Sequence, residues 1–257
     1  MQPFERLRAI ARWSEGIDED SLLVEAIDCL AGFDDDPAGL VVACRRLLSY
    51  HGYSARLWWI CSRVIGSMEP RMMAWDTWDQ LENDATSSYL GDWLDEYDRP
   101  LLSLGWSRII DQLAGIRPDL EIVVVRTGDD NLLSRSLREA SVSIRVVSAL
   151  EASALDPFCI LIPIAIAAAG EALVTSEQFA AINLLMEVPA VGVAPIGTVL
   201  SPSIVNKFVA ANESRVFNNL PTNFVTTFAG PSGIMDVRQF AHRRDAPDAP
   251  ELLRSLG

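Results

Sequence analysis

The stretch PLLSLGWSRII, residues 100–110, decides the fold prediction for the second part of this chain. An apolar run stops at Gly105, and Ser107 and Arg108 follow before apolar residues resume. Because glycine permits a sharp turn, the pattern predicts a buried strand, a turn and the beginning of a helix. Free backbone N–H groups at such a helix start bind phosphate. The stretch therefore raises the question of a phosphorylated ligand.

After residue 100 short apolar runs alternate with helical patterns. Four more runs are typical of strands buried on both faces: residues 120–126 (LEIVVVR), 142–148 (VSIRVVS), 159–166 (CILIPIAI) and 188–194 (VPAVGVA). Helical patterns lie between them at residues 133–140 (LSRSLREA) and 176–186 (SEQFAAINLLM). This alternation predicts a parallel, doubly wound sheet, and an antiparallel sheet within residues 118–195 would contradict it.

Before Pro100 the apolar residues recur with helical spacing. Ser21 is the expected N-cap of one helix, and Asp36 followed by Pro37 is the expected start of the next. His51-Gly52 predicts a helix stop and restart, and residues 75–97 predict one long amphipathic helix. Five helices with short connections indicate a bundle.

These two patterns predict an α/β protein with two domains. Residues 1–98 form an N-terminal helical bundle, and residues 99–257 form a Rossmann-like domain with a parallel sheet. In such sheets ligands bind at the carboxyl ends of the strands.

Composition and charge exclude some functions. The chain has 257 residues, 49% of them hydrophobic, and a net charge of −14. An acidic surface repels nucleic acid and anionic lipid, so we expect no direct nucleic-acid binding. The longest apolar stretch, residues 159–170, is too short to span a bilayer. The N-terminus has no signal-peptide core, so we expect a cytoplasmic protein.

The residue types that bind metals are few and scattered. The four cysteines show no CxxC spacing, and the chain has two histidines. We therefore expect buried structural thiols, no metal site and no cofactor. Five tryptophans in the first 100 residues follow the helical pattern, which favours core or interface packing over an aromatic ligand box: Trp58, Trp59, Trp75, Trp78 and Trp93.

The order of these pieces resembles a known family, the alpha, beta and delta regulatory subunits of translation initiation factor 2B. The same superfamily includes methylthioribose-1-phosphate isomerase and ribose-1,5-bisphosphate isomerase. Residues 101–110 resemble the family's strand–turn segment, and residues 120–148 resemble the strand–helix unit that follows it. Residues 159–194 are similar to its Gly-Ala-Asp strand, helix and GVP strand, and residues 215–228 to its late Asn-Pro stretch. Residues 49–64 stand where the family has a loop and helix that help to cover a sugar-phosphate pocket.

The departures from the family pattern imply a loss of catalysis. The isomerases carry a catalytic cysteine where this chain has Gly105, and a catalytic aspartate where it has Ala165. Thr175-Ser176 replace an Asn-Lys pair, and Gly128 replaces an arginine. Isomerisation needs an acid/base pair to move a proton between two sugar carbons, which Gly and Ala cannot supply. The regulatory subunits also lack this pair, so the resemblance implies a non-catalytic member.

Polar groups at the predicted strand ends define a candidate ligand site without catalytic residues. Hydroxyls, an arginine and turn N–H groups hold a phosphate without reacting with it, although each hydroxyl alone also fits an N-cap or a solvated turn. We predict that a sugar phosphate or nucleotide binds between the domains, through Tyr53, Ser54, Gly105, Ser107, Arg108, Thr127, Thr175 and Ser176.

Two classes of function remain open at this stage. The first is a non-catalytic sensor or an assembly or regulatory subunit. The second is an isomerase-like enzyme whose chemistry is rebuilt from Asp129, Asp130, Lys207 or His51. Ligand binding tests the first, and substrate turnover tests the second.

One further expectation concerns self-association. Residues 182–200 and 216–228 carry more apolar side chains than one strand and one helix need. Either they close the sheet edge within one chain, or they form an interface. We predict a homodimer through the α/β domain, because twofold pairing is the commonest way to cover such a surface and the family pairs in this way.

Overall fold

The computed structural model describes residues 3–10, 19–94, 99–128, 144–221 and 224–254. Within them, six helices precede residue 95: α1 (Pro3–Ile10), α2 (Glu19–Ala31), α3 (Pro37–His51), α4 (Ala55–Ile65), α5 (Pro70–Glu82) and α6 (Thr86–Trp93). None of the helices in these ranges combines the length and the apolarity that crossing a membrane requires.

Local capping signals explain where α3 and α4 begin. Asp36 accepts a hydrogen bond from the Gly39 backbone N–H at 2.8 Å, and Pro37 follows as the first helical residue, as predicted. The stop and restart at His51-Gly52 is also confirmed, with Ser54 as the N-cap of α4. The prediction for Ser21 is wrong because α2 already begins at Glu19.

The long helix predicted over residues 75–97 is two helices. Residues 83–85 separate α5 from α6, and Asp84 accepts hydrogen bonds from the N–H and hydroxyl of Thr86 at 2.9 and 2.5 Å. This local bonding competes with the helical ladder and breaks it. The predicted end of the helix at residue 97 lies outside the described residues.

The second part of the chain builds one large sheet. Its strands are β1 (Leu101–Leu104), β2 (Ile122–Val125), β3 (Arg145–Val147), β4 (Cys159–Pro163), β7 (Ala190–Val193), β9 (Val225–Gly230) and β10 (Gly233–Asp236). Their order is β10-β9-β7-β4-β1-β2-β3, and all neighbours are parallel except β10 with β9. The prediction of an α/β fold with a parallel sheet is confirmed.

Four helices of the described residues lie between strands: α7 (Arg108–Ile116), α8 (Ala149–Ser153), α9 (Ser176–Leu184) and α10 (Pro202–Ala211). Two more, α11 (Val237–His242) and α12 (Pro250–Leu253), follow the last strand. The helix predicted at residues 176–186 is confirmed as α9, whereas the one predicted at residues 133–140 lies outside the described residues.

The prediction that residues 118–195 contain no antiparallel sheet is wrong, because a second, small sheet takes two antiparallel strands from this range. This sheet contains β5 (Ile166–Ala168), β6 (Glu171–Thr175) and β8 (Phe217–Asn219), in the order β5-β6-β8. Ala169 and Gly170, both with positive φ, make the turn between β5 and β6. The apolar run at residues 159–166 therefore belongs to two strands of different sheets, a division that an unbroken apolar pattern does not reveal.

The hydrophobic core of the helices extends into the second part of the chain. Residues from β5, α10 and α12 join α1 to α5 in one buried cluster, among them Ile166, Phe208 and Leu252. On another side α6 packs against α7, β9 and β10. Packing thus crosses residue 98, and the division into domains at residues 1–98 and 99–257 stays a prediction.

The five tryptophans of the packing interpretation have two kinds of surroundings. Trp58 and Trp59 are buried in the helical core and the half-buried Trp78 packs against it, as this interpretation predicts. Trp75 and Trp93 instead expose 45% and 43% of their surface.

Candidate functional site

The carboxyl ends of β1 and β2 meet at the turn predicted from the sequence. Gly105 adopts φ +97°, a left-handed conformation that favours glycine. A Cβ atom at this position would lie 3.1 Å from Thr127 Oγ1, so the two predicted site residues are in contact. Gly128 also has a positive φ of +101°. Both strands therefore end in glycine turns, and the turn at Gly105 is held by its own hydrogen bonds: the Gly105 N–H donates to the Val125 carbonyl at 3.1 Å, and its carbonyl accepts from Ser103 Oγ at 2.8 Å.

Ser107 stands at the beginning of α7, where the sequence predicts a helix start. It is the N-cap residue, but its side chain makes no capping hydrogen bond. Among the described residues its buried Oγ atom has no hydrogen-bond partner. Because a buried unpaired hydroxyl is costly, this atom is available to a polar ligand.

Arg108 lies beside this turn but is engaged by the helical part of the chain. Its guanidinium lies 3.4 Å from Asp20 Oδ2 and donates a hydrogen bond to Glu82 Oε1 at 3.0 Å. Burial opposes its charge, but the carboxylates of Asp20 and Glu82 outweigh that effect and raise the pKa of Arg108. An incoming phosphate therefore has to compete with two carboxylates for this side chain.

A network of charges connects Arg108 to Ser54. Ser54 donates from Oγ to Glu19 Oε1 at 2.5 Å and accepts from the Leu57 backbone N–H, so it is a helix cap as well as a network member. Arg56 lies 3.9 Å from Glu19 and 3.3 Å from Asp20, the carboxylate shared with Arg108. Two predicted site residues are thus joined through α2, whose first two acidic residues the sequence reasoning did not single out.

The Thr175 side chain already has a hydrogen-bond partner within the chain. Thr175 caps α9 by accepting from the Gln178 N–H at 3.3 Å, and Gln178 Oε1 accepts from the Thr175 N–H at 2.9 Å. Gln178 Nε2 also donates to the carbonyls of Leu104 and Pro163 at 3.1 and 3.0 Å. Gln178 therefore holds the ends of β1 and β4 together. The Thr-x-x-Gln capping signature of residues 175–178 is the sequence signal that could have identified Gln178.

Ser176 and Tyr53 have other neighbours. Ser176 Oγ donates to the Val216 carbonyl and accepts from Asn218 Nδ2, both at 3.1 Å. The Tyr53 ring lies beside His51 and 5.3 Å from the guanidinium carbon of Arg215. Their described contacts place Ser176 against β8 and Tyr53 near the end of α10.

The groups proposed for a rebuilt active site are also dispersed. His51 is buried, and its Nε2 atom lies 3.0 Å from the Ile10 carbonyl, so it anchors α1. Lys207 lies on α10, which packs against β5, α4 and α12. Asp129 and Asp130 lie outside the described residues.

Three of the cysteines are poor nucleophiles and poor metal ligands. All four cysteines are buried, and none forms a disulfide bond within the described residues. Burial raises the pKa of Cys29 and of Cys159 to about 12 and also raises that of Cys44. These three thiols therefore stay protonated at neutral pH, whereas nucleophilic attack and metal binding need the thiolate. No group of three or more His, Cys, Asp or Glu residues suited to a metal ion occurs within the described ranges.

A cleft of about 380 Å³ lies at the opposite edge of the sheet. Its walls include Ala152, Pro157 and residues 183–188, which precede β4 and β7. Ligands of parallel sheets bind at the carboxyl ends of strands, so this cleft is not the candidate site.

The fold is shared with proteins of known structure. No model of a protein family matches the sequence, and no curated protein matches it significantly. Translation initiation factor eIF-2B from Pyrococcus horikoshii OT3 superimposes with a TM-score of 0.68 at 10% identity, covering 91% of this chain and 96% of that one. 5-Methylthioribose 1-phosphate isomerase from the same organism superimposes with a TM-score of 0.65 at 12% identity, covering 93% of this chain and 86% of that one. The beta subunit of eIF2B from Chaetomium thermophilum superimposes with a TM-score of 0.63 at 12% identity, covering 92% of this chain and 88% of that one.

The chain has the fold of these proteins. The resemblance read from the strand–turn–helix segments is thereby confirmed at the level of the initiation factor 2B fold. That fold occurs both in initiation factor 2B proteins and in an isomerase, so function has to be argued from the residues of this chain.

Proposed function

We propose that this chain is a non-catalytic protein with the initiation factor 2B fold. In this proposal it binds a sugar phosphate or a nucleotide, or serves as an assembly or regulatory subunit. The resemblance assigns the catalytic cysteine and aspartate of the isomerases to Gly105 and Ala165, and neither side chain transfers a proton. His51 and Lys207 belong to other parts of the fold. These placements support binding without turnover.

The buried hydroxyl of Ser107, which has no hydrogen-bond partner among the described residues, is the observation that carries the ligand proposal. It lies next to the Gly105 turn, at a helix start that lacks a side-chain cap. Backbone N–H groups at such a start favour an anion. Arg108 adds a cation that a phosphate can recruit from its two carboxylate partners.

We predict that replacing Arg108 by alanine weakens the binding of a phosphorylated ligand. The expected loss is about 1.5–3 kcal/mol, or about 10- to 150-fold in affinity, which is typical of a charge-assisted hydrogen bond. Thermal shift with ribose phosphates and nucleoside monophosphates identifies the probe, and calorimetry measures its affinity. Arg99→Ala is the matched control, because Arg99 pairs with Asp156 at the amino end of β1.

Ser107→Ala separates ligand binding from folding. The substitution removes a hydroxyl that has no partner among the described residues, so we expect unchanged or higher stability together with weaker binding. Unchanged affinity in both Ser107→Ala and Arg108→Ala would place the ligand in another pocket.

We also predict no isomerase activity on methylthioribose-1-phosphate or ribose-1,5-bisphosphate. The reason is the absence of an acid/base pair at Gly105 and Ala165. Mass spectrometry of long incubations measures substrate loss. Steady turnover that survives Lys207→Ala and Asp129→Ala would contradict both the non-catalytic assignment and the proposed location of the site.

We further propose a homodimer formed by the α/β part. Much of residues 182–200 is used within one chain, since β7 lies inside the sheet and Val199 and Leu200 are buried. Leu184, Met186 and Val216 remain exposed by 56%, 51% and 66% and are the apolar side chains left for a partner. Light scattering at micromolar concentration should give twice the mass of the chain, and a monomer mass would contradict the dimer.

A further inference from the structure

The outward side of α5 carries large apolar side chains. Met68, Met72 and Trp75 expose 98%, 66% and 45% of their surface, and we call them the Met–Trp face. Met72 and Trp75 are three residues apart on the helix and are therefore neighbours, and Met68 lies just before its first residue, Pro70. Single exposed apolar residues are ordinary, but a contiguous group marks a binding surface.

The packing of α5 holds this face outward. Ala74, Thr77 and Leu81 are buried on the opposite side, where α5 packs against α2 and α4. Arg63 of α4 donates to Asp76 at 2.7 Å and fixes the rotation of the helix further. The Met–Trp face is therefore a preformed surface on a rigid element.

The surroundings of the Met–Trp face are acidic. Residues 67–83 contain four acids and one base, a balance of −3. Asp76 and Glu82 pair with Arg63 and Arg108, but among the described residues Glu69 and Asp79 have no ion-pair partner. The surface thus combines apolar side chains with negative charge that no ion pair within the described ranges neutralises.

We propose that the Met–Trp face docks a basic amphipathic helix of a partner protein. The apolar side of such a helix covers Met72 and Trp75, while its Lys or Arg side chains pair with Glu69 and Asp79. A cation over the Trp75 ring adds to the attraction, and the flexible methionines adapt to the contour of the partner.

The charge distribution argues against a second copy of the chain on this face. Residues 1–100 carry 19 acidic and 9 basic side chains, so two such parts repel each other. A cationic partner instead neutralises negative charge, which a second copy would add to.

The test measures the affinity of the full chain for a synthetic helical peptide of lysine and leucine. The peptide carries a fluorescent label, and its binding is measured by fluorescence anisotropy. The double variant Met72→Ser/Trp75→Ser should weaken peptide binding about tenfold or more. Asp79→Lys should also weaken peptide binding, because it replaces a negative charge by a positive one. Affinity of the unsubstituted chain should also fall with added salt. Ile116→Ser/Leu150→Ser is the matched control, because these residues are similarly exposed in the α/β part, at 48% and 73%, and lie outside the proposed dimer interface. Circular dichroism verifies that every variant is folded.

Three outcomes would overturn the proposal. Equal weakening by the control variant would show general attraction to an acidic protein. Equal binding of a peptide with glutamate in place of lysine would remove the charge argument. Light scattering that shows a dimer dissociating in Met72→Ser/Trp75→Ser would assign the face to a second copy.

Discussion

Replacing Arg243 by alanine should lower the free energy of unfolding by about 3–5 kcal/mol, the usual loss when one partner of a buried ion pair is removed. The Arg243 and Asp245 side chains are 9% and 6% exposed, and two hydrogen bonds of 2.8 and 2.7 Å join them. Arg243 also donates to the carbonyls of Ala194 and Pro195, and Asp245 accepts from the Val199 N–H. The variant leaves Asp245 buried without its cation and releases the loop after β7.

Equilibrium denaturation in urea measures this loss. Arg244→Ala is the control, because Arg244 is exposed and the expected change is within about 0.5 kcal/mol. Replacing both Arg243 and Asp245 by apolar residues should recover part of the loss, since no unpaired charge then remains. A loss below about 1 kcal/mol in Arg243→Ala would mean that the pair is solvated in solution.

Replacing Trp59 by alanine should also cost about 3–5 kcal/mol, because it empties the space of a large buried side chain. Trp59 exposes none of its surface, and its indole N–H donates to the Asp245 carbonyl at 2.8 Å. Its ring packs against Gly197, where a Cβ atom would lie 3.2 Å from Trp59 Cδ2. One side chain of α4 thus supports the same loop from the helical side.

Trp59→Phe separates packing from hydrogen bonding. It keeps an aromatic ring and should cost about 1 kcal/mol for the lost hydrogen bond, plus a smaller packing term. Trp93→Ala is the control at an exposed tryptophan. Far-ultraviolet circular dichroism and tryptophan fluorescence should report one coincident transition, since the helices share a core with β5, α10 and α12. Two separate transitions would show that the helical part folds alone.

The local elements of this protein could be predicted because their signals are close together in the sequence. Asp36 reaches an N–H three residues away, and Gly105 ends a strand whose four residues are all buried. Strand–helix alternation then selects a parallel sheet, because parallel neighbours need a crossover connection. The same signals placed Gly105, Ser107 and Thr127 at one edge of that sheet.

The partners of these residues could not be predicted in the same way. The ion pairs of Arg108 join it to α2 and α5, and the Trp59 hydrogen bond spans 186 residues. Nothing in the local pattern distinguishes the acids that meet Arg108 from the many that face solvent. The small antiparallel sheet was missed for a related reason, since an unbroken apolar run does not show where a strand leaves one sheet for another.

The sequence by itself thus determined most of the first helices, the parallel strands β1 to β4 and β7, and the polar groups at the carboxyl ends of β1 and β2. Periodicity, capping and turn chemistry act over a few residues and are written in the chain directly. The tertiary structure alone decided that Arg108 is bound by carboxylates and that the helices share their core with β5, α10 and α12. It also decided that the Ser107 hydroxyl finds no partner in the part of the chain that the structure describes. Those features depend on which segments, far apart in the sequence, pack together and exclude water. Burial sets both the cost of an unpaired polar group and the strength of an ion pair.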